Sequence, residues 1–149
     1  MATIKRFEEL ESWKLARKLV VTFYKESTKG SLSSDYKLRD QMRGACISIM
    51  FNLAEGFERN GNREFIQFCY IAKASAGEFR SQLYIATDLG YFNKQTSDEL
   101  MQLVLEVTRL ISGLIRYLCN SNLSGAKYSE HEEDYKVQES FFSSNILQS

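Results

Sequence analysis

The sequence has 149 residues, the length of one ordinary domain, and its 44% hydrophobic and 26% charged residues are typical of a chain that buries a core. It carries 19 lysine and arginine residues and 19 aspartate and glutamate residues, so its formal net charge is zero. This composition excludes a disordered chain and argues against a dedicated nucleic-acid binder, whose surface is strongly basic.

Four segments whose apolar residues recur every three or four positions predict four helices, and no proline interrupts them. The first helix is predicted over residues 8–27, and Gly30 after it suits a left-handed helix cap. The second is predicted over residues 34–57, where Ser34 or Asp35 can cap the free amides of the first turn.

The third helix is predicted over residues 63–89, after an Asn-Gly-Asn turn, and Gly90 is expected to follow its end. The fourth helix is predicted over residues 97–122 and has the clearest apolar stripe of the four. At its start, Thr96 and Glu99 match a capping box, in which the side chain of each residue accepts a hydrogen bond from the backbone N–H of the other.

Short connections between the four helices require antiparallel neighbours, so the sequence predicts an all-α, antiparallel up-down-up-down four-helix bundle over residues 1–123. This part carries 17 basic and 14 acidic side chains, whereas residues 124–149 carry 2 basic and 5 acidic ones. The acidic segment is polar and aperiodic until Phe141-Phe142 and Ile146-Leu147. We predict a mobile tail there, with docking of its apolar end on a neighbour as the alternative.

The N-terminus lacks the apolar stretch of a secretory signal, and no apolar run approaches the roughly 20 residues that span a bilayer. Cys46, Cys69 and Cys119 lie far apart in the sequence and form no Cys-x-x-Cys pair. They are typical of reduced thiols in a protein core rather than of disulfides or a zinc site. We therefore expect a cytoplasmic protein with no membrane partner.

Polar residues also recur at helical spacing on the second and third predicted helices. They form a predicted polar inter-helix seam of seven residues: Ser48, Asn52, Glu55, Arg59, Ser75, Glu78 and Gln82. In one interpretation, the serines allow close helix approach and the other side chains bond within the bundle, which fixes register. In the other, Glu55 and Glu78 line a functional pocket.

The sequence lacks the residues that known bundle chemistry requires. A di-iron site needs Glu-x-x-His motifs, and the only histidine, His131, lies in the predicted tail. Serine and cysteine side chains in the bundle therefore have no histidine base, and the chain has no glycine-rich phosphate-binding motif. We predict no catalytic centre, no metal site, no cofactor and no small-molecule substrate.

Three motifs follow one another along the predicted bundle. Residues 7–17 read FEELESWKLAR, residues 48–59 read SIMFNLAEGFER, and residues 64–83 read EFIQFCYIAKASAGEFRSQL. These runs resemble the motifs F-x-x-L-x-x-W-x-x-A-R, S-I-P-x-N-I-A-E-G-x-x-R and E-F-I-R-F-L-x-I-A-K-G-S-x-x-E-x-x-x-Q-L of the family of four-helix bundles called 23S rRNA intervening-sequence proteins. The resemblance spans about residues 7–118.

The sequence departs from the family pattern at three positions. Met50, Leu53 and Ala74 stand where the family has proline, isoleucine and glycine. Without the proline, we expect the second helix to run straighter. The resemblance implies a four-helix protomer that assembles into a ring, typically a pentamer, and most members have no assigned activity. Relatives that accompany diversity-generating retroelements are basic, bind nucleic acid and partner a reverse transcriptase.

Two functional hypotheses follow for this chain. The first is a non-enzymatic interaction protein that associates with itself, because 13% aromatic residues exceed what one small core readily hides. The resemblance implies that this homo-oligomer is ring-like. Its possible oligomer contacts are Tyr70, Tyr84, Tyr91 and Phe92. In the alternative interpretation, these aromatic residues are ordinary residues at the rim of the core and make no contact with another copy. The alternative is an accessory protein that binds structured RNA or DNA through a basic helix face. That face would contain Lys14, Arg17, Lys18, Lys25, Arg39, Arg43, Arg59 and Arg63, which are otherwise solvated charges.

Overall fold

The structure, a computed structural model, describes residues 4–121. Its four α-helices are α1 (Glu11–Ser27), α2 (Tyr36–Glu58), α3 (Asn62–Asp88) and α4 (Lys94–Ser121). Short 3-10 turns at Phe7–Glu9 and Gly30–Ser34 precede α1 and α2. The described range contains no strand, which confirms the predicted all-α four-helix bundle. The predicted tail over residues 124–149 lies outside the described residues.

The helices pack in a closed cycle, in which α1 contacts α2 and α4, and α3 contacts the same two helices. Contacts at both ends of α3 and α4 show that these helices run antiparallel. Asn62 Nδ2 at the start of α3 donates to Ser121 Oγ at the end of α4 at 3.1 Å. At the opposite end, the Oγ1 atom of Thr87 lies 3.0 Å from Oγ of Ser97.

The core takes one apolar stripe from each helix, as the periodicity of the sequence predicts. Phe23 of α1 and Phe79 of α3 meet edge to face at the centre, with ring centroids 5.1 Å apart. Ile49 and Ile111 complete this core from α2 and α4, and both are fully buried. Within the described range, no helix combines the length and apolar character needed to cross a membrane.

Two helix ends match their predicted capping residues. Asp35 caps α2, because its Oδ1 accepts the backbone N–H of Leu38 at 3.1 Å. Gly90 adopts a φ of +74° after α3, and the N–H groups of Gly90 and Tyr91 donate to the carbonyls of Thr87 and Ala86. These two bonds form a Schellman motif, which satisfies the last carbonyls of the helix.

The predicted start of α4 is wrong by about one turn. The helix begins at Lys94, and Asn93 is its cap, because Asn93 Oδ1 accepts the N–H of Thr96 at 2.8 Å. Thr96 therefore lies inside the first turn and does not form a capping box with Glu99. Asparagine and threonine both cap helices well, so local pattern alone did not distinguish the two starts.

Candidate functional site

The contact between α2 and α3 contains a hydrogen-bond network of three predicted seam residues. The Oγ atoms of Ser48 and Ser75 lie 2.8 Å apart, so one hydroxyl donates to the other. Asn52 Nδ2 donates to the carbonyl oxygen of Ser48 at 2.8 Å and to its Oγ at 3.0 Å. Ser75 is buried, and the other two are partly buried. These paired groups favour one register of α2 against α3.

The other four seam residues bond along their own helices. Arg59 Nη2 donates to Glu55 Oε1 at 2.9 Å, and its guanidinium carbon lies 5.2 Å from the centroid of the Phe68 ring on α3. Gln82 Nε2 donates to Glu78 Oε1 at 3.3 Å. Both glutamates are exposed. The protomer thus places Glu55 and Glu78 on open surface and brings only the small polar residues of the seam together.

Gly56 lies where α2 packs closely against α3. A Cβ atom placed on this glycine would stand 2.5 Å from Cβ of Phe68 and 3.1 Å from Cδ1 of Phe65. The first distance is too short for any real contact, so only a residue without a side chain fits here. The seam prediction did not include Gly56, although a glycine inside a helical pattern signals close packing.

Two large apolar side chains flank the hydrogen-bond network. Phe51 follows Ser48 by three positions and is 62% exposed, and Ile71 precedes Ser75 by four positions and is 48% exposed. Residues three or four apart are neighbours on a helix surface, so both side chains border the seam. We call the exposed residues along this border the seam surface: Phe51, Glu55, Ile71, Ala74 and Glu78.

A buried acceptor lies beside the seam surface. Gln82 is one helical turn from Glu78, and its Oε1 atom is buried with no hydrogen-bond partner among the described residues. A buried polar atom usually has a partner, so this oxygen is an exception among the described residues. The sequence analysis also did not predict that Phe51 and Ile71 belong to this surface. Their signal is that Phe51 and Ile71 lie off the apolar stripes of their helices.

The four predicted oligomer contacts are not equivalent in the structure. Tyr84 is 59% exposed and available for contact. Tyr70 and Phe92 are partly buried and pack against the core. Tyr91 donates its hydroxyl to Asp35 Oδ2 at 2.8 Å, and this bond raises the pKa of Tyr91 above its ordinary value. Three of the four aromatic residues therefore pack against the bundle itself.

The predicted basic face divides into separate groups. Four of its members are exposed on α1: Lys14, Arg17, Lys18 and Lys25. Arg43 of α2 lies beside them, because its Nε donates to Ser27 Oγ at 2.9 Å. Arg39 lies nearby and donates to the carbonyl of Ser33 at 2.9 Å. Arg59 lies over the Phe68 ring at the α2–α3 contact, and Arg63 lies in the first turn of α3.

The three cysteines are free and buried. Burial raises the pKa of the Cys46 thiol to about 12, and burial likewise raises the pKa of Cys69. Thiols held protonated in this way are poor nucleophiles and poor metal ligands. Across residues 4–121, no group of three or more histidine, cysteine, aspartate or glutamate residues is placed to hold a metal ion.

Comparisons with known proteins agree with this architecture. The model of the family described as 23S rRNA-intervening sequence protein matches residues 8–113. The chain is also similar to a crystal structure of a protein with unknown function from the S23 ribosomal protein family of Bacteroides thetaiotaomicron. The TM-score is 0.64 at 18% identity, over 70% of this chain and 97% of that chain, which shows a shared fold. No curated protein matches the sequence.

Proposed function

Given that the chain belongs to the 23S rRNA-intervening sequence protein family, we propose that it is a non-enzymatic interaction protein that assembles into a ring-like homo-oligomer, with five copies as the expected number. The observation that carries this proposal is the seam surface of α2 and α3. Exposed apolar side chains border a partly buried polar network there, and this combination suits a contact between copies.

Single exposed apolar side chains are common on protein surfaces. Phe51 and Ile71 differ from such residues because they border the same seam on two helices. A large aromatic side chain that is 62% exposed gains much from burial, and aromatic anchors of this kind dominate many interfaces.

The seam surface is also held in place before any contact forms. The network of Ser48, Asn52 and Ser75 joins α2 to α3, and Gly56 lets the helices approach closely. Association with such a surface costs little ordering of the backbone, because the two helices are already positioned. Glu55 and Glu78 supply a charged rim around the apolar residues, as in many interfaces.

The test compares Phe51→Asp with Tyr36→Asp by light scattering and sedimentation velocity at micromolar concentration. Phe51 is 62% exposed and Tyr36 is 65% exposed, so both variants should keep the helical circular dichroism of the bundle. We expect the natural chain and Tyr36→Asp to be oligomers of one size, and Phe51→Asp to dissociate. A natural chain that is monomeric refutes self-assembly, and a Phe51→Asp oligomer of unchanged size refutes the seam surface as its interface.

A second candidate function, binding of structured RNA or DNA, is favoured by the cationic residues exposed on α1. A ring would repeat this face once per copy and multiply a weak contact. We expect Lys18→Glu combined with Lys25→Glu to weaken filter binding of a structured RNA and to reduce its salt dependence. An affinity that stays the same between low and moderate salt would contradict a phosphate-driven mode.

A further inference from the structure

Two adjoining apolar clefts open at the end of the bundle where α1 begins and α4 ends. Ile4, Leu10, Leu114 and Tyr117 line both clefts, and we call this the end groove. The clefts have volumes of about 220 and 270 Å³, and each exceeds the roughly 150 Å³ that accommodates a benzene ring. Two of the lining side chains lie open to solvent, Ile4 at 37% exposure and Tyr117 at 45%.

We propose that the end groove binds the apolar end of this same chain, residues 141–147, within one protomer. This stretch begins with Phe141-Phe142 and ends with Ile146-Leu147, after a long polar stretch. Two adjacent aromatic residues followed by two branched aliphatic residues suit a pair of neighbouring apolar clefts. The proposed occupant is thus this segment of the same chain.

The connection between groove and segment is short enough for this contact. Helix α4 ends at Ser121, one turn beyond Tyr117 in the groove wall, and 19 residues separate Ser121 from Phe141. A chain of that length spans up to about 60 Å, much more than the return to the groove needs. A segment tethered in this way has an effective concentration of about a millimolar, so even a weak contact forms within the protomer.

The charges of the two partners are complementary. Arg59, Arg109 and Arg116 line the clefts alongside Glu11. Residues 124–149 carry 5 acidic and 2 basic side chains, and the acidic ones all precede Phe141. Arg59 and Arg109 also pair with glutamates of their own helices, but exposed pairs of this kind are weak and exchange partners readily. The acidic stretch thus meets a basic rim as the apolar end enters the groove.

The test uses hydrogen–deuterium exchange on the full chain. We expect residues 138–149 to exchange at least about tenfold more slowly than an unstructured peptide of the same sequence. The variant Ile4→Ser with Tyr117→Ser should remove this protection, because it makes the groove polar at two exposed positions. Tyr36 is an exposed tyrosine distant in sequence from the groove residues. The variant Tyr36→Ser is therefore the matched control and should leave the protection unchanged. Circular dichroism and thermal unfolding verify that all variants fold.

A photo-crosslink identifies which protomer the segment contacts. With benzoylphenylalanine in place of Phe142, we expect crosslinks to the peptide around Leu114 and Tyr117, with a yield independent of protein concentration. Exchange of residues 138–149 at the unstructured rate would overturn the proposal, as would protection that survives Ile4→Ser with Tyr117→Ser. Crosslinks found only between two copies, or protection of residues 1–9 in place of 138–149, would assign the groove to another occupant and overturn it too.

Discussion

At the scale of single residues, Gly56 controls how closely α2 and α3 pack. We expect Gly56→Ala to destabilise the bundle by about 2 kcal/mol, because its Cβ would stand 2.5 Å from Cβ of Phe68, which cannot rotate away. For Gly44→Ala in the same helix, no atom beyond the local backbone of α2 lies within 4 Å of the new Cβ, so this variant should stabilise the bundle by about 0.5–1 kcal/mol. Urea unfolding measures both, and equal shifts would contradict the close contact.

The pair of Asp35 and Tyr91 makes stability depend on pH. The Tyr91 hydroxyl and the Leu38 amide both donate to the Asp35 carboxylate, and they hold the pKa of Asp35 below its ordinary value. Because the pKa of Asp35 is lower in the folded chain than in the unfolded chain, its carboxylate stabilises the fold above about pH 4. This contribution is lost as the pH falls through the pKa of the folded chain.

Asp35→Asn tests this dependence because it removes the charge and keeps the size of the side chain. We expect the natural chain to be more stable than Asp35→Asn at pH 7. The difference should shrink below about pH 4, since protonated aspartate then resembles asparagine. Urea unfolding of both chains at pH 7 and pH 3 measures it. A stability difference that is the same at both pH values would show that the carboxylate charge makes no contribution.

At the scale of the helices, the start of α4 distinguishes two capping residues. Asn93 accepts the N–H of Thr96, so Asn93→Ala should destabilise the bundle by about 1 kcal/mol. Thr96→Ala should change stability by less than about 0.5 kcal/mol, because its side chain is not the cap and alanine favours helix. Thermal unfolding of the two variants measures the effects. A larger loss with Thr96→Ala would restore the capping box that the sequence suggested.

The α2–α3 pair shows how polar stripes are used in this bundle. Seven polar residues recur at helical spacing, yet among them only Ser48 and Ser75 share a hydrogen bond across the contact, and Asn52 joins this network through Ser48. Small side chains fit between closely packed helices, whereas Glu55 and Glu78 are long enough to reach solvent at the edge. The size and length of each polar side chain thus determine whether it lies inside the α2–α3 contact or at its edge. Hydrophobic periodicity contains no information on either property.

At the scale of the whole molecule, the buried cysteines report the opening of the core. Cys46 and Cys69 are fully buried on neighbouring helices, and burial raises the pKa of both thiols. We expect both thiols to react with a thiol reagent at pH 8 much more slowly in the folded chain than in the unfolded chain. The reagent reaches them only when the bundle opens. Mass spectrometry of labelled peptides measures each site. Fast labelling in the native state would contradict a closed α2–α3 core.

The amino-acid sequence by itself determined the number of helices, their approximate bounds and the core stripes, because helical periodicity and capping preferences are local properties of the chain. It also identified the family through motifs on three helices. The tertiary structure alone decided that Ser48 faces Ser75, that Gly56 lies against Phe68, and that Tyr91 and Phe92 turn toward the bundle. Each of these depends on how one helix is rotated and shifted against another. Residues distant in sequence determine that rotation and shift together, so no local pattern contains them.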